Sequence, residues 1–257
     1  MKSSHLPRIG ILGGMGPLAT ADFFAKLTRA TPAARDQDHF PVTLESAPQI
    51  PDRVAALQED GADVLSALRA VAQRLVDAGC DVIAMPCNTA HLWHAALAAD
   101  LPVPFLHIAD AVAGQLAGAR KIGLMGTTAT LASRLYQQRI EERFGSKLDW
   151  VLPAEHEMTS AVMPGVAAVK RYDIDAARAL LLPVVQRLAA QGLDALVLGC
   201  TEIPLAITQA TITQENRRVR VIDATDALAR ATVNAAVKLR DSGARRAAAA
   251  YSLAPSN

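Results

Sequence analysis

A chain of 257 residues of which 51% are hydrophobic can bury one large α/β domain or two small ones. Its formal net charge of +1 excludes a polybasic surface or an acidic tail, so no nucleic acid and no membrane is expected as a partner, and a small molecule is. The opening MKSSHLPR lacks a signal-peptide core, and no apolar run reaches membrane-spanning length without Gly, Pro or a charge, which points to the cytoplasm.

In chain order, short β-type runs alternate with longer amphipathic stretches. RIGIL precedes a helix from about Leu18 to Arg29, and DVIAM precedes one from about Asn88. KIGLM is followed by a helix from Leu131 to Phe144, DALVL by a helical turn, and VRVI by a helix from Asp226 to Arg240. The terminal ARRAAAAYSLAPSN reads as a helix end and a loose tail. This alternation predicts an α/β fold with parallel strands and crossover helices, and the continuous apolar character of the strands predicts sheets covered on both faces.

The chain also resembles itself. RIGILGGMGPLATADFF from Arg8 aligns with KIGLMGTTATLASRLYQ from Lys121, a shift of 121 − 8 = 113, and the same shift sets AGCDVIAMPCNT over QGLDALVLGCTE. Gly79 then meets Gly192, Asp81 meets Asp194, and Cys87 meets Cys200. A third pair, FLHIADAV and VIDATDAL, aligns with the shift grown to 116. Two similar α/β halves are the expected architecture. Because ligands in such sheets bind beyond the carboxyl ends of strands, Cys87 and Cys200 are expected to face one cleft from opposite sides.

Three cysteines are too few for a disulfide scaffold, and no CxxC or Cys/His spacing marks a metal site, so thiol chemistry remains. A lone free cysteine is ordinarily a small core residue. Two at equivalent strand ends, each ahead of a helix, read instead as thiols that a helix N-terminus biases towards thiolate. Cys80, whose counterpart is Leu193, reads as structural. A thiolate on one side of a Cα–H bond and a thiol on the other would invert a stereocentre without a cofactor residue, provided that oriented donors stabilise the carbanionic intermediate. Asn88, Thr89, Thr127, Thr130 and Thr201 are the candidate donors, although Asn and Thr in these places also cap helices. The loop GGMGP, Gly13 to Pro17, lacks the P-loop Lys and does not fit GxGxxG; its backbone, with Met15 at the centre, suits a carboxylate. Arg53 and Lys170, one from each half, are candidate anion clamps, though such residues are commonly solvated surface charges. Glu202 reads as a supporting residue, and His91 as a packing or hydrogen-bonding group near the site.

GGMGP, PCNTAH and GCTEIPL together resemble the aspartate/glutamate racemase superfamily, and specifically its aspartate racemase branch, over nearly the whole chain. The Asp-Ser-Gly typical of glutamate racemases after the first strand is replaced here by Gly13-Gly14-Met15. The resemblance implies two pseudo-symmetric α/β domains, residues 1–114 and 115–218, with the segment 219–257 returning to the first. It further implies a homodimer, catalysis by Cys87 and Cys200 without pyridoxal phosphate or any other cofactor, and carboxylate recognition by Arg53 and Lys170. Cys87 would act on the D-enantiomer and Cys200 on the L-enantiomer. L- and D-aspartate interconversion is the expected activity. The alternatives are a broad-specificity racemase, a related Cys-dependent enzyme such as a hydantoin racemase or maleate isomerase, and a two-lobed binding protein.

Overall fold

The computed structural model describes residues 6–57, 62–212 and 219–252. Two parallel sheets carry the fold. In the first, β1 (Ile9–Gly13) lies between β2 (Val42–Ser46) and β3 (Val82–Ala84). In the second, the order is β5-β4-β6-β7, with β4 at Lys121–Gly126, β5 at Asp149–Val151, β6 at Ala195–Gly199 and β7 at Arg220–Asp223. The strands β1 and β6 are buried along their whole length, as continuous apolar runs require.

The helices in chain order are α1 (Pro17–Ala30), α2 (Ala62–Asp77), α3 (His94–Asp100), α4 (Ile108–Ala113), α5 (Thr128–Ala132) and α6 (Leu135–Phe144). The segment α7 (Glu155–Glu157) passes through a wide turn into α8 (Met163–Lys170), and α9 (Ile174–Ala189), α10 (Ile203–Ala206), α11 (Gln209–Ile212) and α12 (Ala224–Ser252) follow. Alternation along the strands sorts these helices into layers. Ile9 and Ile11 of β1, Ile122 and Leu124 of β4, and Ala195 and Val197 of β6 share one core with α1, α4, α6 and α12. The opposite faces are covered separately, the first sheet by α2 and α3 and the second by α8 and α9.

The internal repeat has a physical basis at each matched position. Gly79 and Gly192, with φ of 74° and 72°, both take the left-handed conformation that stops the preceding helix at no steric cost. Two residues later an aspartate fastens the neighbouring strand: Asp81 Oδ2 accepts from the Arg8 amide at 2.7 Å, and Asp194 Oδ2 accepts from Arg120 and Lys121 at 2.8 and 2.9 Å. The third repeat pair also corresponds in space. The isolated parallel bridge Ile83–Phe105 stands where Leu196 pairs with Val221 in β6–β7.

Some elements differ from the sequence reading. The helix expected from Leu131 to Phe144 is broken, because Ser133 Oγ donates to the Thr130 carbonyl at the end of α5 and Arg134 turns left-handed (φ 56°). The segment after residue 219 first adds β7 to the second sheet, and only from Ala224 does α12 return to pack on α1 and α4. That helix runs to Ser252 rather than ending near Arg240; the last five residues of the expected tail lie outside the described residues. Among the described residues no helix is long and apolar enough to cross a membrane.

Candidate active site

Two strand ends bring the thiols together. Chain leaving β3 through Met85 and Pro86 presents Cys87, and chain leaving β6 presents Cys200; the two are 5% and 3% exposed. They line one small cavity of about 30 Å³ with Met15, Arg53, Asn88, Thr89, Thr127, Lys170 and Thr201. Nine of the ten residues expected at the site therefore meet. The tenth, Thr130, is fully buried behind them. Its hydroxyl is 3.1 Å from that of Thr89 and 3.0 Å from that of Thr127, while the Thr89 and Thr127 hydroxyls are 2.9 Å apart, so three hydroxyls from the two halves of the chain form a closed triangle. Thr127 also caps α5 by accepting from the Thr130 amide. Capping and site-building thus coexist in one side chain.

Asn88 caps nothing. Its backbone is helical and its side chain makes no capping bond. Instead the buried Tyr136 hydroxyl donates to Asn88 Oδ1. Burial, then the nearby Asp223 and Cys200, raise the Tyr136 phenol well above its usual range, which keeps it a donor. The Asn88 Nδ2 group is thereby turned away from Tyr136, and it is buried with no protein partner. A buried amide donor left unpaired at a cavity wall is suited to an anionic ligand.

The electrostatics of the thiols correct one expectation. The α-helices expected to bias them are short or absent: a 3₁₀ turn at Thr89–Trp93 follows Cys87, and the four-residue α10 follows Cys200. What remains of the helix contribution is the Ala90 amide at Cys87 and the Glu202 amide at Cys200. Burial outweighs these and raises both thiols. The two environments are otherwise unequal. At Cys87 the Arg53 guanidinium opposes the effect of burial. At Cys200 the Glu202 carboxylate adds to it and pushes the thiol well above its ordinary value.

Glu202, which the sequence marks only as a supporting residue, bonds directly to a thiol. It is 5% exposed, and its Oε2 accepts from Cys200 Sγ at 3.1 Å and from Thr201 Oγ1 at 2.9 Å. Asp52 was not singled out at all. Its Oδ1 accepts from the Val54 and Ala55 amides, which fixes the turn that carries Arg53. Arg53 Nη1 donates to the carbonyls of Ile50 and Pro51, leaving Nε buried without a partner. Asp52, Arg53, Lys170 and Glu202 also line an adjoining outer pocket of about 320 Å³ with Gly16, Pro48, Ile50 and Tyr172. The inner cavity has room for a water or two, and the outer pocket opens beside it.

His91 packs beside the site, as its position suggested. Its Nδ1 donates to the Cys87 carbonyl at 2.8 Å, and its ring lies against His94, His107 and Phe105. Burial lowers all three imidazoles, His107 to about 3. Cys80 is a packing residue: a Cβ on Gly10 would come within 3.1 Å of its sulfur.

A family model described as Asp/Glu/Hydantoin racemase matches residues 12–232. An aspartate racemase structure from Picrophilus torridus superimposes with a TM-score of 0.78 at 34% identity, covering 90% of this chain and 94% of that one. A broad-specificity amino-acid racemase of Bacillus subtilis is 28% identical over 231 residues, 88% of this chain and 96% of its own. A glutamate racemase of Shewanella loihica is 28% identical over 175 residues, 64% of this chain and 60% of its own.

Proposed function

The chain belongs to the Asp/Glu/hydantoin racemase family, and from that premise we propose that it interconverts L- and D-aspartate by cofactor-independent two-base proton transfer between Cys87 and Cys200. One observation carries this reading. Two buried cysteines, related by the internal repeat and borne on different sheets, line the same cavity. One thiolate removes the α-proton, and the opposite thiol delivers its own to the other face.

The α-carboxylate is assigned to the donors around Cys87 and Cys200: Asn88 Nδ2, the hydroxyls of Thr89, Thr127 and Thr201, and the backbone at Met15, with Thr130 holding the two threonines in place. These same donors face the negative charge that grows on the carboxylate as the α-proton leaves. Arg53 and Lys170 take the side-chain carboxylate, and the Picrophilus torridus relative supports aspartate as the substrate. By resemblance to the family, Cys87 serves the D-enantiomer and Cys200 the L-enantiomer. We propose in addition two lobes, residues 1–114 and 115–218, with the C-terminal segment adding β7 to the second sheet before α12 returns to the first lobe, and a homodimer working in the cytoplasm.

Broad specificity is the second reading. The outer pocket of about 320 Å³ leaves room beyond the two-carbon side chain of aspartate, and the Bacillus subtilis relative is described as a broad-specificity racemase. Replacing either cysteine separates these readings from a binding protein. Cys87→Ala and Cys200→Ala should each abolish racemisation, and full turnover in a folded Cys200→Ala preparation would remove the two-base mechanism. A covalent adduct trapped on Cys87 would favour isomerase or decarboxylase chemistry.

A further inference from the structure

We infer that Glu202 is a positioning residue that holds the proton on Cys200, so that the thiol pair loses its first proton from Cys87 and the singly deprotonated enzyme is chemically one-handed. The inference rests on the two-base reading and adds to it an asymmetry that the pseudo-symmetric backbone does not contain.

The Glu202 carboxylate is buried, and Oε2 accepts from Cys200 Sγ at 3.1 Å and from Thr201 Oγ1 at 2.9 Å. The other oxygen points to the loop, since a Cβ on Gly16 would meet Oε1 at 3.4 Å. An acceptor placed this way favours the S–H form and repels a thiolate. The repeat places Thr89 opposite Glu202 (202 − 89 = 113), so Cys87 has a hydroxyl where Cys200 has an acid. The charged group turned towards Cys87 is instead Arg53. The remaining ionisable neighbours are Asp52 and Lys170 in the cavity wall and Tyr136 from α6. Burial raises both sulfurs and the Glu202 charge acts on both, but its hydrogen bond is to Cys200 and the opposing guanidinium is at Cys87, so we assign the difference to that bond and to Arg53.

The consequence is kinetic. Singly deprotonated free enzyme, with a Cys87 thiolate and a Cys200 thiol, accepts the enantiomer whose Cα–H faces Cys87. The proton passes from Cα to Cys87 while the Cys200 proton goes to the opposite face, leaving a Cys87 thiol and a Cys200 thiolate. The other enantiomer must bind that minor form, and its apparent affinity falls by the fraction populated. Enantiomers have equal free energy, so kcat/KM is the same in both directions. The asymmetry therefore appears as a higher KM matched by a proportionally higher kcat for the enantiomer facing Cys200.

The test is a pH titration of the three cysteine Cβ resonances in protein labelled with 13C at that carbon, assigned by single Cys→Ser changes. In the native protein the Cys87 signal is expected to titrate below that of Cys200. Glu202→Gln should bring the Cys200 midpoint down by about 1 unit or more and move Cys87 less, while Glu202→Asp should retain most of the gap. Arg53→Gln should raise the Cys87 midpoint, giving an independent approach should the Glu202 variants fold poorly. Cys200 titrating first in the native protein, or an equal shift of both thiols in Glu202→Gln, would overturn the inference. Exchange of α-protons in D₂O, measured on the same samples, reports the racemase reading separately. Exchange with the wrong titration order removes only the asymmetry. The expected order without exchange on any amino acid retains the proton assignment and removes the racemase.

Discussion

Tyr136→Phe tests whether the site is organised as described. Tyr136 has 0% exposure and donates its hydroxyl to the Asn88 Oδ1. The substitution keeps the ring that packs on Gly199, where a Cβ would meet Tyr136 Cε2 at 3.2 Å, and removes only the donor. Asn88 Oδ1 is then left without that donor in a residue 2% exposed, which costs about 1–3 kcal/mol. For a chain of this size each kcal/mol lowers Tm by about 2–4 °C, so a fall of roughly 2–12 °C is expected. The effect on catalysis is separate. Without Tyr136 the amide is free to turn and offer its oxygen to the cavity, so kcat/KM should drop about tenfold or more, approaching the 10²–10³ expected for removing an oriented donor outright. Differential scanning calorimetry and steady-state racemisation read the two effects. Unchanged Tm and unchanged kcat/KM would refute the reasoning; a lower Tm with full activity would make the bond structural only.

Lys26 is 9% exposed, donates to Thr225 Oγ1 at 2.8 Å and pairs with Asp22 and Asp223, tying α1 to the start of α12. Lys26→Met should destabilise by about 3–5 kcal/mol, because two carboxylates lose their shared cation; a loss below 1 kcal/mol in urea unfolding would contradict this. The buried imidazoles give a pH dependence of definite sign. His91, His94 and His107 are held below the ordinary imidazole range, principally by burial. The unfolded chain therefore binds protons that the folded one does not once pH falls below about 6.5. Their contribution to stability, present above that pH, should be lost at up to about 1.4 kcal/mol per pH unit for each histidine down towards its folded value. For His107 this window extends to about 3. Urea midpoints should fall from pH 7 to pH 5, and His107→Gln should flatten the slope. Arg53→Gln should lower kcat/KM for aspartate by about 10- to 150-fold, the worth of a hydrogen bond to a charged group, with a smaller loss for neutral amino acids; equal losses would remove its assigned role.

Much of this was legible because the repeat encodes backbone necessities. A helix stop at Gly79 and Gly192 and a strand anchor at Asp81 and Asp194 leave the same residue types at the same spacing in both halves, and the thiols follow in register. The edge strands β2 and β5 were not legible, since VTLES is half exposed and DWV has only three residues. The helices α2 and α9 carry apolar faces that cover the sheets, a pattern present in the sequence but unassigned from it. Asp52 escaped notice because its work is a local turn whose only chemical signal is a carboxylate two residues before an amide. The helix-dipole argument at the thiols erred because sequence does not show that the following helices are a turn long, nor how completely the sulfurs are desolvated.

The most direct test of the two-base account is incubation of reduced, folded protein with L-aspartate in D₂O, followed by chiral separation and mass analysis at early turnover. Two thiols on opposite faces predict that the D-aspartate formed carries one deuterium at Cα while the recovered L-aspartate remains protiated. Equal deuterium in both enantiomers would indicate a single base. Absence of exchange with aspartate and with a panel of other amino acids would contradict the racemase itself.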